Sequence, residues 1–113
     1  MLVFKQIFTI APGALALFSF KDEPNLYESA SLKKHGIGVM KAVNKCVIGD
    51  IKGLNGLGKR HVKRGVIKDH YEVVGQAILN TLKSVFDQDW PKYEEAWIAM
   101  FTALAKEMQR ENY

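Results

Sequence analysis

Apolar positions recur at helical spacing along most of the chain. Leu32, His35, Gly36, Val39, Val43 and Val47 fall on one face of a helix, and Leu54, Leu57 and His61 repeat the spacing in the next segment. Val73, Val74, Ala77, Ile78, Leu82 and Val85 form the inner side of a long helix running from His70 to Phe86. A last stripe holds Tyr93, Trp97, Met100, Phe101, Leu104 and Met108. Near the start, Leu2, Val3, Phe4, Ile7, Phe8 and Ile10 read as a short apolar helix over residues 1–10, because strict alternation is absent.

Breakers and caps divide these stripes. Pro12 starts a new turn, followed closely by Leu15, Leu17, Phe18 and Phe20, and Lys21 to Tyr27 is a polar loop broken by Pro24. Ser29 or Ser31 is placed to cap the helix that contains His35. Gly65 suits a left-handed terminator, Asp69 a cap, and Asp89 with Pro91 a helix start, with Glu94 and Glu95 facing the positive end of the dipole. The pattern predicts an all-α fold of about six helices joined by short loops.

Composition narrows the class. The chain has 113 residues, the length of one domain, and 48% apolar with 25% charged residues is ordinary for a globular protein. There are no repeats and no low-complexity segment. One cysteine, Cys46, permits no internal disulfide, which points to a reducing, cytoplasmic setting with Cys46 as a small apolar residue. Met1 to Phe20 carries a weak signal-peptide pattern, but Lys5 and Gln6 interrupt its order and Pro12-Gly13 breaks the run. No stretch approaches the ~20 apolar residues of a membrane span.

The net charge of +4 suits an anionic ligand, an acidic partner or nucleic acid. Lys59, Arg60, Lys63, Arg64 and Lys68 cluster around His61. Cations at a helix C-terminus are the simple reading, an anion site beside His61 a second, and nucleic-acid binding a third that lacks interleaved aromatics.

His35 and His61 each extend an apolar stripe, on separate helices joined by a glycine-rich connection. A histidine on an apolar face is usually a core residue bonded to backbone. Two of them could instead face one another across a gap filled by a flat apolar ligand with a central metal. Haem requires such a setting: a neutral imidazole on iron, apolar walls, and cations at the edge for the propionates. His70, at the opening of its helix, reads as a surface or interface residue.

These residues resemble the globins, most of all the plant and algal non-symbiotic haemoglobins and the neuroglobin-like proteins. Phe4-Lys5-Gln6-Ile7-Phe8 with Ile10-Ala11-Pro12 is similar to the B helix and its corner, and Leu17-Phe18-Ser19-Phe20 to the corner whose phenylalanine stacks on haem. Leu32-Lys33-Lys34-His35-Gly36 resembles the distal-histidine helix. Leu57-Gly58-Lys59-Arg60-His61 followed by Gly65-Val66 resembles the proximal helix and its exit turn. His70-Tyr71-Glu72-Val73-Val74 and Ala96-Trp97 match the apolar stripes of the last two helices.

The resemblance implies a globin fold, a three-on-three helical sandwich, in a single domain over residues 1–113. It also implies that the A helix and part of B are missing, which would leave Met100, Leu104 and Met108 uncovered and open a route to homodimerisation. It implies haem b, with His61 as proximal ligand, its second nitrogen donating to a carbonyl near Leu57. His35 would be the distal residue, either binding iron or donating to bound O2. Phe4 would form the distal wall, Phe18 would press on the haem, Val39 would limit space above the iron, and Val66, Tyr71 and Val74 would line the proximal side. The implied function is reversible binding of O2, CO or NO. An alternative is conversion of NO to nitrate, which needs electrons from a partner reductase.

Overall fold

The computed structural model describes residues 2–113. It contains five α-helices: α1 (Leu2–Ile10), α2 (Ala30–Val47), α3 (Leu54–Lys63), α4 (Lys68–Phe86) and α5 (Trp90–Gln109). Short 3-10 segments at Pro12–Leu17, Leu26–Glu28 and Asp87–Asp89 stand where a sixth helix was expected. Pro12 separates the first segment from α1, and the polar loop broken by Pro24 follows it.

Local chemistry sets most of the boundaries. The Ser29 hydroxyl accepts the Leu32 N–H at 3.1 Å and caps α2. Gly65 takes φ +91°, a left-handed conformation that a residue with a Cβ adopts only with strain, and this ends α3. Two expected caps are replaced. Asp69 lies inside the first turn of α4; the cap is Ile67, whose N–H donates to His70 Nδ1 at 3.1 Å. His70 is therefore a half-buried capping residue. Asp89 precedes α5 but its side chain makes no capping bond.

The buried side chains form two clusters. One joins α1, the Phe18–Phe20 corner, α2 and α4 through Phe4, Ile7, Phe20, Leu32 and Ala77. The other joins α2, α3, α4 and α5 through Val43, Leu54, Tyr71, Leu104, Ala105 and Met108. α1 packs on α4, while α5 packs on α2, α3 and α4. α3 crosses α5 so closely that a Cβ on Gly58 would fall within the backbone of Met108, so only glycine permits this approach.

Several expected faces differ. Leu104 and Met108 are each only 6% exposed, because α3 covers this part of α5. Val47, Val85 and Tyr93, expected inside, are exposed: each lies near a helix end, past the point where a neighbour covers its stripe. The bare apolar surface is instead on α2, at Ile37, Met40, Val47 and Ile48. No helix among the described residues is long and apolar enough to cross a membrane.

Candidate functional site

His61 lies in the last turn of α3, and its orientation follows from that placement. Nδ1 lies 2.7 Å from the carbonyl oxygen of Leu57, one turn earlier. A carbonyl can only accept, so Nδ1 carries the proton and Nε2 keeps its lone pair for a metal. The exit from α3 is tied to the same residue: the Val66 N–H donates to the His61 carbonyl at 3.0 Å. Val66 is held in turn by the Tyr113 hydroxyl, which donates to its carbonyl at 2.6 Å.

Tyr71 packs edge-on against Tyr113, with ring centroids 6.0 Å apart. Its own hydroxyl is buried without a hydrogen-bond partner. Burial, followed by the neighbouring Tyr113, raises its pKa well above the usual tyrosine range. Leu57, Val66 and Tyr71 all belong to the cluster around α3 and α5.

His35 stands in different surroundings. Its ring lies 5.5 Å from Phe4, 5.1 Å from Phe18 and 6.3 Å from Phe20, each in an edge-type arrangement. Phe18 and Phe4 are themselves edge-to-face at 6.0 Å. Burial lowers the pKa of His35, and the nearby His61 and Arg64 lower it further. Burial thus favours the neutral imidazole for His35, and His61 and Arg64 are close enough to act on it in the same sense. Arg64 is exposed at the end of α3, a cation beside the two histidines.

Phe4, Phe18, Val39 and Val74 fall in the cluster on the His35 side. Val74 packs against this cluster, while Val66 and Tyr71 belong to the other. Val73 is in the same cluster, and Phe4 and Ile7 of α1 supply the buried surface that draws this face of α4. Phe20 also belongs to the His35 surroundings and was not singled out from the sequence. Its position two residues after Phe18 was the available signal.

The donor set fits haem better than a bare metal ion. Among the described residues no group of three or more His, Cys, Asp or Glu side chains is placed to hold a metal. Protein-only sites for a metal such as zinc use three or four such ligands. One imidazole among phenylalanines and a second oriented by a backbone carbonyl, with no buried charged residue among those described, suit a metal whose other ligands would come from a macrocycle. His61 and His35 would hold the group, Phe4, Phe18, Leu57 and Val66 would wall it, and Arg64 is positioned for an anionic edge. Grooves on α2 and α5 touch neither histidine.

Comparison with known proteins agrees. The globin family model matches residues 2–108. The "Anaerobic nitrite reductase NSHB5" of Oryza sativa subsp. indica is 34% identical over 113 residues, covering 96% of this chain and 77% of that protein. The "Anaerobic nitrite reductase AHB2" of Arabidopsis thaliana is 36% identical over 121 residues, covering 96% and 76%. The "Anaerobic nitrite reductase HBII" of Casuarina glauca is 34% identical over 107 residues, covering 83% and 66%. With its helices, its paired histidines and these relatives, the chain belongs to the globin family, whose members bind haem.

Proposed function

We propose that this globin holds haem b and reversibly binds O2, CO or NO, with the whole chain, residues 1–113, acting as one domain in a reducing, cytoplasmic setting. The observation that carries the reading is His61, turned by the Leu57 carbonyl so that its free nitrogen is available to a metal, within electrostatic reach of a His35 walled by phenylalanine. Bound haem supplies the metal valence at which a diatomic ligand is taken up. His61 would hold the metal through Nε2, and the Leu57 carbonyl holds its tautomer and increases its basicity. Phe4, Phe18 and Val39 exclude water from the opposite side and restrict the space there. His35 holds a proton where partial negative charge collects on a ligand, or ligates the metal itself when no other ligand is present.

Reconstitution with haem gives a Soret band that His61→Ala severely weakens; an unchanged spectrum in that variant overturns the assignment. The ligand-free ferrous spectrum reads the role of His35. A six-coordinate form is expected, and a five-coordinate wild-type form overturns direct ligation by His35.

A second reading is favoured by the relatives, which are named as nitrite reductases. Taking up one electron and two protons, nitrite yields NO and water. In this chain His35 is an imidazole of the site able to carry a proton, and Arg64, which acts on it electrostatically, favours an anion. The electron comes from a partner reductase, as it also does for conversion of NO to nitrate. Sustained turnover with a reductase separates either activity from simple ligand binding; failure of both leaves binding alone.

A further inference from the structure

The turn that leads from α3 into α4 carries little packing. Arg64, Gly65, Ile67 and Lys68 are exposed, while Val66 packs against the cluster around α3 and α5. A turn so thinly covered takes its shape from hydrogen bonds. The Val66 N–H donates to the His61 carbonyl at 3.0 Å. The Val66 carbonyl accepts from the Tyr113 hydroxyl at 2.6 Å. The N–H at the other end of that same peptide group belongs to Ile67, and it donates to His70 Nδ1 at 3.1 Å.

A peptide group is planar and rigid, so a side chain on each end restrains its rotation about the chain. Tyr113 holds one end of the Val66–Ile67 peptide and His70 holds the other. That restraint limits where the Val66 N–H points, and the Val66 N–H is what meets the His61 carbonyl. A backbone N–H can only donate, so Nδ1 of His70 is unprotonated and the ring proton sits on Nε2. This is the reverse of His61, whose Nδ1 donates to the Leu57 carbonyl. His70 occupies the third position of α4, where a glutamate or glutamine commonly reaches back to the N–H that opens a helix. Ile67 has no polar side chain with which to return the bond.

We propose that His70 is a positioning residue for His61, acting through the Ile67 N–H and the Val66 peptide without touching the metal or its ligand. The inference rests on the reading of His61 as the residue that holds the metal. It gives the His70 imidazole a task beyond capping α4: it clamps the exit turn so that the last turn of α3 keeps one orientation. Without that acceptor the Val66–Ile67 peptide turns towards solvent. The His61 carbonyl then loses a fixed donor, and the end of α3 frays with His61 on it.

Three variants of the full chain test this: His70→Ala, His70→Gln and, as a control, Ser29→Ala, which removes the cap of α2. Helix content by circular dichroism stays that of wild type in all three. Hydrogen exchange of the apo chain reads the clamp directly. The Ile67 amide exchanges about fivefold faster in His70→Ala and at the wild-type rate in His70→Gln, whose side-chain oxygen accepts in place of the imidazole. In the haem-reconstituted protein, the iron–histidine stretching band after photolysis of the CO form reads the setting of His61. It shifts or broadens in His70→Ala, recovers in His70→Gln and stays put in Ser29→Ala. Faster exchange at Ile67 with an unmoved band overturns the proposal, since His70 then caps α4 and positions nothing. A band shift that His70→Gln does not reverse, or that Ser29→Ala reproduces, also overturns it. An intact Soret band in His61→Ala overturns the underlying reading and the proposal with it. A Soret band lost there while both His70 variants match wild type overturns the proposal alone.

Discussion

His61 is held by hydrogen bonds and close backbone contact, whereas His35 is held by aromatic rings. On the His61 side, the Asn55 side chain donates to the carbonyls of Glu107 and Arg110, fastening the start of α3 to the end of α5. The Asn112 side chain returns the tie by donating to the carbonyls of Asn55 and Met108. Tyr113 then holds Val66, and Gly58 lets α3 lie directly on the Met108 backbone. On the His35 side, no hydrogen bond among the described residues involves the imidazole; its neighbours are Phe4, Phe18 and Phe20. Hydrogen bonds specify direction, while ring packing specifies volume and tolerates rotation. The difference matches the proposed roles: the proximal imidazole has one orientation, and the distal one can turn between metal and ligand.

The largest expected effect is at the α3–α5 crossing. Gly58→Ala forces a Cβ into backbone that cannot yield, so it lowers stability by about 3 kcal/mol or more in urea unfolding. A cost under about 1 kcal/mol would contradict the rigid account of the His61 side. Asn55→Ala leaves two carbonyls at the end of α5 without their donor and costs about 1–3 kcal/mol. It also speeds haem loss to apomyoglobin, since the helix bearing His61 loosens; an unchanged loss rate means that Asn55 does not stiffen the ligand.

The opposite sign is expected on α2. Gly38 has nothing within 4 Å of a built Cβ, and Ala favours a helix interior, so Gly38→Ala raises stability by about 0.5–1 kcal/mol. Opposite outcomes at two helical glycines, one on each side of the site, are the most direct check on the comparison. The smallest effect concerns alkali. The Tyr71 hydroxyl keeps its proton in the folded protein above the ordinary tyrosine value of 10.0, chiefly through burial. The stability it contributes is complete below that value and declines as pH rises above it, because the unfolded chain ionises first. Tyr71→Phe removes this part of the alkaline loss; identical pH profiles of wild type and variant would show that the hydroxyl is hydrated.

Much of the His61 side was legible because its chemistry is local. Leu57 and His61 are one turn apart, so their hydrogen bond follows from forming the helix at all. The exit at Gly65 depends on a single residue able to take positive φ. Less of the His35 side was legible. Phe20 reaches His35 only because the corner after α1 folds back, and Val74 joins Phe4 and Phe18 only because α1 packs on α4. Tyr113 lies 47 residues from Val66, and nothing in local periodicity pairs them.

The sequence by itself determined where the helices run, how α2 is capped by Ser29, and that two histidines stand in apolar stripes, since each depends on spacing or on residues within a turn. Tertiary structure alone decided which stripe finds a partner. Leu104 and Met108 became core because α3 lies over them, and Ile37 and Met40 stayed bare because no element of the described chain crosses that face of α2. Periodicity identifies a face; burial requires a second surface, and the approach of a second surface is settled by packing over the whole chain.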